Sequence, residues 1–230
     1  MEPLERLKRA AAERALTLVE PGMLVGLGSG STAHHFIAGL GARLAAGTLQ
    51  DVRGVAPSRE SETQASALGI PLLELPPDGL DLAVDGMDEV SPNLDAIKGL
   101  GGALTREKIV ASAARRFVLV GDERKRVGRL GERAPVPVEI IAFGWRRTRE
   151  RLRDLGGEPR LRGGEDDPYT TDNGNLILDL AFSGPFEPAA LARELGDLAG
   201  VVEHGLFLGM AERAFVAGPA GVAELRAPSA

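Results

Sequence analysis

"PGMLVGLGSGSTAHHFIAGLGARLAAG", residues 21–47, is the stretch that decides the fold. Its opening "PGMLVGLG" is apolar and too short for a helix, so it reads as a buried strand. "STAHHFIAGLGARLAAG" then spaces its apolar residues helically, behind a Ser/Thr cap and ahead of a closing glycine. A strand running through a glycine turn into a helix is half of a βαβ unit. Outward from it the same alternation continues. The N-terminal stretch predicts a helix over 3–19. "VRGVAPS" (52–58) is a strand and "SRESETQASALG" (58–69) a helix. "PLLELP" (71–76) and "LDLAVDG" (80–86) are strands, "TREKIVASAARR" (105–116) is a helix, and "RFVLVGDE" (116–123) is a strand. Such a chain is expected to be α/β, a mostly parallel, Rossmann-like sheet covered by helices. Ligands bind such sheets at the carboxyl ends of the strands.

The rhythm changes at "GERAPVPVEI" (131–140), where two prolines and a glycine mark a boundary. Beyond it come strand 137–143, helix 144–156, strands 158–163 and 175–182, helix 188–200 and strand 201–208. That βαββαβ order predicts an inserted ferredoxin-like unit. "RAFVAGPAGVAELRA" (213–227) is expected to return one last strand to the first sheet. The predicted division is therefore 1–131 plus 211–230 for the α/β unit and 132–210 for the insert. No internal repeat interrupts it.

With 230 residues, 43% hydrophobic and 26% charged, the chain has the make-up of an ordinary globular protein. A net charge of −6 argues against broad contact with nucleic acid or acidic membranes. No apolar run reaches the length of a membrane span, and the N-terminus lacks the core of a signal peptide, so a cytoplasmic protein is expected. The absence of cysteine excludes disulfides, thiolate metal sites and cysteine nucleophiles. Among 27 basic residues only Lys8, Lys98, Lys108 and Lys125 are lysines, which singles each of them out.

Three constellations carry chemistry. "GLGSGSTA" (26–33) lets a backbone approach an anion at a helix N-terminus, with hydroxyls from Ser29, Ser31 and Thr32. Gly28, Gly30 and Ala33 also fit the dinucleotide fingerprint, but that motif wants an acid after the next strand, and Asp51 stands before it. A phosphate loop is the stronger reading. "VDGMDEV" (84–90) crowds Asp85, Asp88 and Glu89 behind a strand, with Asp81 just upstream. Close carboxylates raise one another's pKa, which suits proton transfer near neutrality; a solvated acidic turn or a Mg²⁺ site is the alternative. In "KGLGGALTREK" (98–108) a lysine, a glycine-rich bend and Glu107 in a first helical turn offer an oxyanion donor and a proton acceptor. His34, His35 and His204 have no metal-ligand spacing and read as structural. "WRRTRERLRD" reads as a solvated helix face, and "TTDNGNL" as a hairpin turn.

"GLGSGSTA", "DLAVDGMDEV", "KGLGGALTREK" and "TDNGN", in this order and spacing, together resemble ribose-5-phosphate isomerase of type A over nearly the whole chain. Leu100 stands where that family often has a third glycine. The resemblance implies interconversion of ribose 5-phosphate and ribulose 5-phosphate in the pentose phosphate pathway, without metal or organic cofactor, by a homodimer or homotetramer. It implies Glu107 as the base between C2 and C1, with Asp85, Asp88 and Lys98 assisting ring opening, proton shuttling and enediolate stabilisation. Substrate contacts would come from Ser29, Gly30, Ser31, Thr32, Asp85, Gly86, Met87, Asp88, Lys98, Gly99, Leu100, Gly101 and Lys125. Two other readings share the phosphate loop: a non-catalytic sugar-phosphate sensor, and a Mg²⁺-dependent phosphoryl-transfer enzyme using Asp85 and Asp88.

Overall fold

The computed structural model describes residues 2–227; Met1 and 228–230, the extreme ends of the expected α/β unit, lie outside them. Helix α1 (Pro3–Ala15) begins on a proline, whose missing N–H is no loss at a first turn. It gives way to a 3₁₀ turn at Leu16–Leu18, three residues that were expected to be helical. Strand β1 (Leu24–Gly26), helix α2 (Gly30–Ala45), strand β2 (Arg53–Val55) and helix α3 (Arg59–Ala67) follow. A reciprocal Ser58–Ser61 capping box starts α3. After β3 (Leu82–Gly86) come two unforeseen short strands, β4 (Glu89–Val90) and β5 (Ala96–Ile97), then α4 (Leu104–Ala113) and β6 (Phe117–Asp122). The expected strand at 71–76 is no strand. Prolines flank it, and a single bridge from Leu72 to Gly54 is all its backbone gives.

The inserted unit comprises β7 (Val136–Ile140), α5 (Trp145–Arg153), β8 (Glu158–Leu161), β9 (Leu176–Ala181), α6 (Pro188–Gly196) and β10 (Val201–His204). Its four strands lie in the order β10-β7-β9-β8, every pairing antiparallel, which is the ferredoxin-like arrangement. The expected strand 201–208 is split at Gly205, where the backbone bonds to Pro137 and Lys98. A Cβ at Gly205 would strike the Lys98 carbonyl. β11 (Leu206–Phe207) therefore leaves β10 and joins β5 and β4 in a small sheet. The Asn173–Gly174 turn is likewise no two-residue hairpin, since it lies within the longer connection from β8 to β9.

β12 (Arg213–Gly218) returns to the first sheet and pairs in parallel with β6. The tail adds a second strand as well, β13 (Gly221–Arg226), folded back antiparallel on β12. The large sheet runs β13-β12-β6-β3-β1-β2. Its central strands read as continuous apolar runs because both faces are covered. Val25, Val84 and Val120 pack with Phe36 and Leu40 of α2 on one side, while Ala83 and Leu119 pack with Val110 of α4 on the other. A third core fills the inserted unit and reaches Ile97 and Leu206. No helix among the described residues is long and apolar enough to cross a membrane.

Candidate active site

Strand order reverses at β1, which has β2 on one flank and β3 on the other, in register Gly26 to Ala83. The carboxyl ends of β1 and β3 thus open a crevice at a topological switch point. The chain leaves β1 through Gly28, at φ +62, pressed so closely on β3 that a Cβ would collide with the Val84 carbonyl. That contact brings the Ser29 N–H to Asp85 Oδ1 at 2.9 Å; Gly86 N–H donates to the same oxygen at 2.7 Å. Ser29 occupies the N-cap of α2, yet its hydroxyl caps nothing. It donates instead to Glu107 Oε1, across the crevice on the first turn of α4.

Lys98, one residue beyond β5, completes the cluster. Its Nζ lies 3.0 Å from Asp85 Oδ2 and 3.2 Å from Glu107 Oε2, and donates to Gly86 O at 2.6 Å. All three side chains are buried. Glu107 Oε2 accepts no hydrogen bond among the described residues and faces only the Lys98 ammonium. Burial, reinforced by Glu107, pushes the Asp85 carboxyl up to about 7. Burial opposes charge on Lys98, but Asp85 and Glu107 outweigh it and hold the ammonium above its usual range. Burial also raises Asp88, against the opposing pull of the Leu100 N–H, which donates to its Oδ2 at 2.9 Å.

These groups surround a cavity of about 160 Å³. Ser29, Gly30, Ser31 and Thr32 form one wall at the N-terminus of α2. Gly86, Met87, Asp88, Lys98, Gly99, Gly101, Glu107 and Lys125 line the cavity as well. Two expected residues stand back. Asp85 lies behind Lys98, and the Leu100 side chain points outward, leaving its N–H to act. The sequence reading missed two others, Lys8 from α1 and Arg124, whose guanidinium is tethered to Asp122 at 2.7 Å. Lysine scarcity was the usable signal for Lys8, because three of the four lysines meet here. The fourth, Lys108, turns away to Glu203 and the His204 carbonyl.

The acidic stretch serves separate ends. Asp81 Oδ2 accepts the Leu24 N–H at the far end of β3, and Glu89 accepts three backbone N–H groups of 131–134. Only Asp85 and Asp88 turn to the site. Among the described residues no three His, Asp or Glu side chains are placed to hold a metal ion. A larger groove of about 560 Å³ runs along the outer side of α4, lined by Val55, Leu73 and Ile109, but it gathers no comparable proton-transfer groups.

Comparison with known proteins finds matches over most of the chain. Residues 53–221 match the family described as ribose 5-phosphate isomerase A (phosphoriboisomerase A). "Ribose-5-phosphate isomerase A" of Deinococcus radiodurans is 52% identical, covering 96% of this chain and 98% of that one. Its counterpart in Roseiflexus castenholzii is 54% identical, over 97% and 96% respectively. A solved D-ribose-5-phosphate isomerase in complex with phospho-erythronic acid superimposes with TM-score 0.94 at 40% identity, covering 98% of this chain and all of that one. The ribose 5-phosphate isomerase A of Methanocaldococcus jannaschii gives 0.91 at 40% identity, covering 96% and 99%.

Proposed function

Because the chain belongs to the ribose 5-phosphate isomerase A family, we propose that it interconverts D-ribose 5-phosphate and D-ribulose 5-phosphate through an enediolate. The observation that carries this is Glu107 Oε2, buried, unbonded and set beside the Lys98 ammonium at the cavity wall. On the opened sugar, Glu107 takes the proton from C2, and the C–H electron pair becomes the C1–C2 double bond. The carbonyl pair moves to O1, where Lys98 stabilises the negative charge. Glu107 then returns the proton to C1, while the O2 hydroxyl proton passes to O1 and leaves a C2 ketone. Asp85, Asp88 and Lys98 share ring opening and the hydroxyl transfers. Asp85 acts from behind, through Lys98, and Asp88 acts at the wall.

The phosphate is assigned to the N-terminus of α2, with the Ser31 and Thr32 hydroxyls and the cationic groups of Lys8, Arg124 and Lys125. A relative solved with phospho-erythronic acid supports a phosphorylated ligand of this size. Holding the phosphate at one end places C1 and C2 against Glu107 at the other. All the reacting groups come from 1–131, which with 211–230 we take as the catalytic unit beside the ferredoxin-like 132–210. The reading extends to a cytoplasmic homodimer or homotetramer of the non-oxidative pentose phosphate pathway, needing neither metal nor organic cofactor.

Ketose formation from ribose 5-phosphate in excess EDTA, wild type beside Glu107→Gln, tests it. Wild-type turnover should survive chelation, and the variant should lose ~10³-fold or more, the scale of a general base. Turnover that requires metal would make the carboxylates ligands of a Mg²⁺-dependent enzyme. Tight sugar-phosphate binding with no turnover would make the chain a sensor.

A further inference from the structure

Arg162 follows β8 and reaches from the inserted sheet to the loop between Lys98 and α4. Its Nε and Nη2 hold Asp179 of β9 at 2.9 and 2.5 Å, a two-pronged pair that fixes the guanidinium plane. The remaining nitrogen, Nη1, donates to two carbonyls, Gly99 O and Leu100 O, each at 3.0 Å. Tyr169 backs the guanidinium with its ring centroid 5.8 Å away, and its hydroxyl reaches Gly101 O at 3.4 Å. Gly102, at φ +92, has no Cβ to obstruct that ring.

A trans peptide group is planar, and its C=O and N–H point in opposite directions. The Gly99 carbonyl shares its peptide with the Leu100 N–H, the donor that meets Asp88 Oδ2 at 2.9 Å. The Leu100 carbonyl shares its peptide with the Gly101 N–H, and Gly101 lines the cavity. A cation gripping both oxygens from outside therefore sets the direction of both N–H groups on the other side. It also polarises the two amides and strengthens them as donors.

We propose that Arg162, oriented by Asp179, is a positioning residue for the isomerisation, aiming the Leu100 and Gly101 N–H groups at Asp88 and at the cavity. The inference rests on the isomerase reading. It gives the inserted unit a part in the chemistry although it contributes no group to the cavity. A mere tie between sheets would alter stability and leave the pH profile alone.

The test is steady-state kinetics of wild type, Arg162→Gln and Arg162→Lys across pH, with thermal melting alongside. Arg162→Gln should lower kcat by ~10- to 100-fold, less than direct loss of an oxyanion donor, with KM within ~3-fold. Its acid limb should move to higher pH, because Asp88 loses a well-aimed donor to its ionised form while Lys98, Lys125 and Glu107 still face it. Arg162→Lys keeps the charge without the fork and should recover part of the loss. An unchanged kcat and acid limb in folded Arg162→Gln, or a rise in KM alone, would overturn the proposal. Should that variant not fold, Asp179→Asn frees the guanidinium plane and must shift kcat and the acid limb in the same direction, or the proposal fails. Wild type inactive on ribose 5-phosphate would sink the isomerase reading itself; active wild type with variants equal to it would sink only this one.

Discussion

Asp85 is the residue in which folding and reaction pull against each other. Its carboxyl sits behind Lys98 without reaching the cavity, and its pKa stands near 7. An unfolded aspartate titrates near ~3.9. Between those values the folded chain holds a proton that the unfolded chain has released. Asp85 therefore makes stability fall as pH rises from about 4 to about 7, and adds no slope outside that window. Asp85→Asn should flatten that part of the curve while turnover drops, read as urea midpoints from pH 4.5 to 7.5. An unaltered slope would show that another group carries it. Ser29 teaches a related lesson. The sequence put the cap at Ser31 or Thr32 and took Ser29 as an anion-loop donor; the structure makes Ser29 the N-cap and diverts its hydroxyl to Glu107. Spacing places such a residue at a helix start but cannot say where its hydroxyl points, because the partner lies 78 residues away.

At the scale of elements, α4 depends on a residue from another sheet. Its N-cap, Ala103, has no side-chain acceptor to cap the helix, and Thr105 donates to Glu139 of β7. Glu139 is wholly buried and also accepts from Thr171 Oγ1, Asn173 Nδ2 and Asn175 Nδ2 at 2.9, 3.1 and 2.9 Å. Thr105→Val removes one bond to a charged acceptor and should cost about 1.5–3 kcal/mol. Glu139→Ala leaves four donors unpaired and should cost more, ~4 kcal/mol or above. Denaturant midpoints showing the two equal would refute the hub. A turn at "TDNGN" was legible from Asn-Gly, though not as the hairpin expected, and the helix expected over 105–116 begins one residue earlier, at Leu104. That the two meet on one carboxylate was not legible, since Glu139 sits in a strand whose pattern reports only burial. The split at Gly205 was hidden for the same reason. "VVEHGLFL" was read as one continuous strand, and the crowding of Gly205 against Lys98 and Pro137 bends it into a second sheet.

For the molecule as a whole, alternation and the βαββαβ order were enough to anticipate two sheets and their layers. The second tail strand escaped because 213–227 was read as one strand, although Gly218–Gly221 is a tight turn pairing β12 with β13. The same closing hairpin constrains how the molecule is made. β6 ends at Asp122, and the strand that covers its edge begins only at Arg213, with the entire inserted unit between. Pairing so distant in sequence is slow to form. During refolding, backbone amides of Arg213–Gly218 should gain protection from hydrogen exchange after those of Val136–Ile140, as pulse labelling would record; the reverse order would contradict this. A nascent chain halted short of Arg213 already carries Lys8, Asp85, Asp88, Lys98, Glu107 and Arg162, yet presents the ribosome's surroundings with an apolar strand edge open to any other chain.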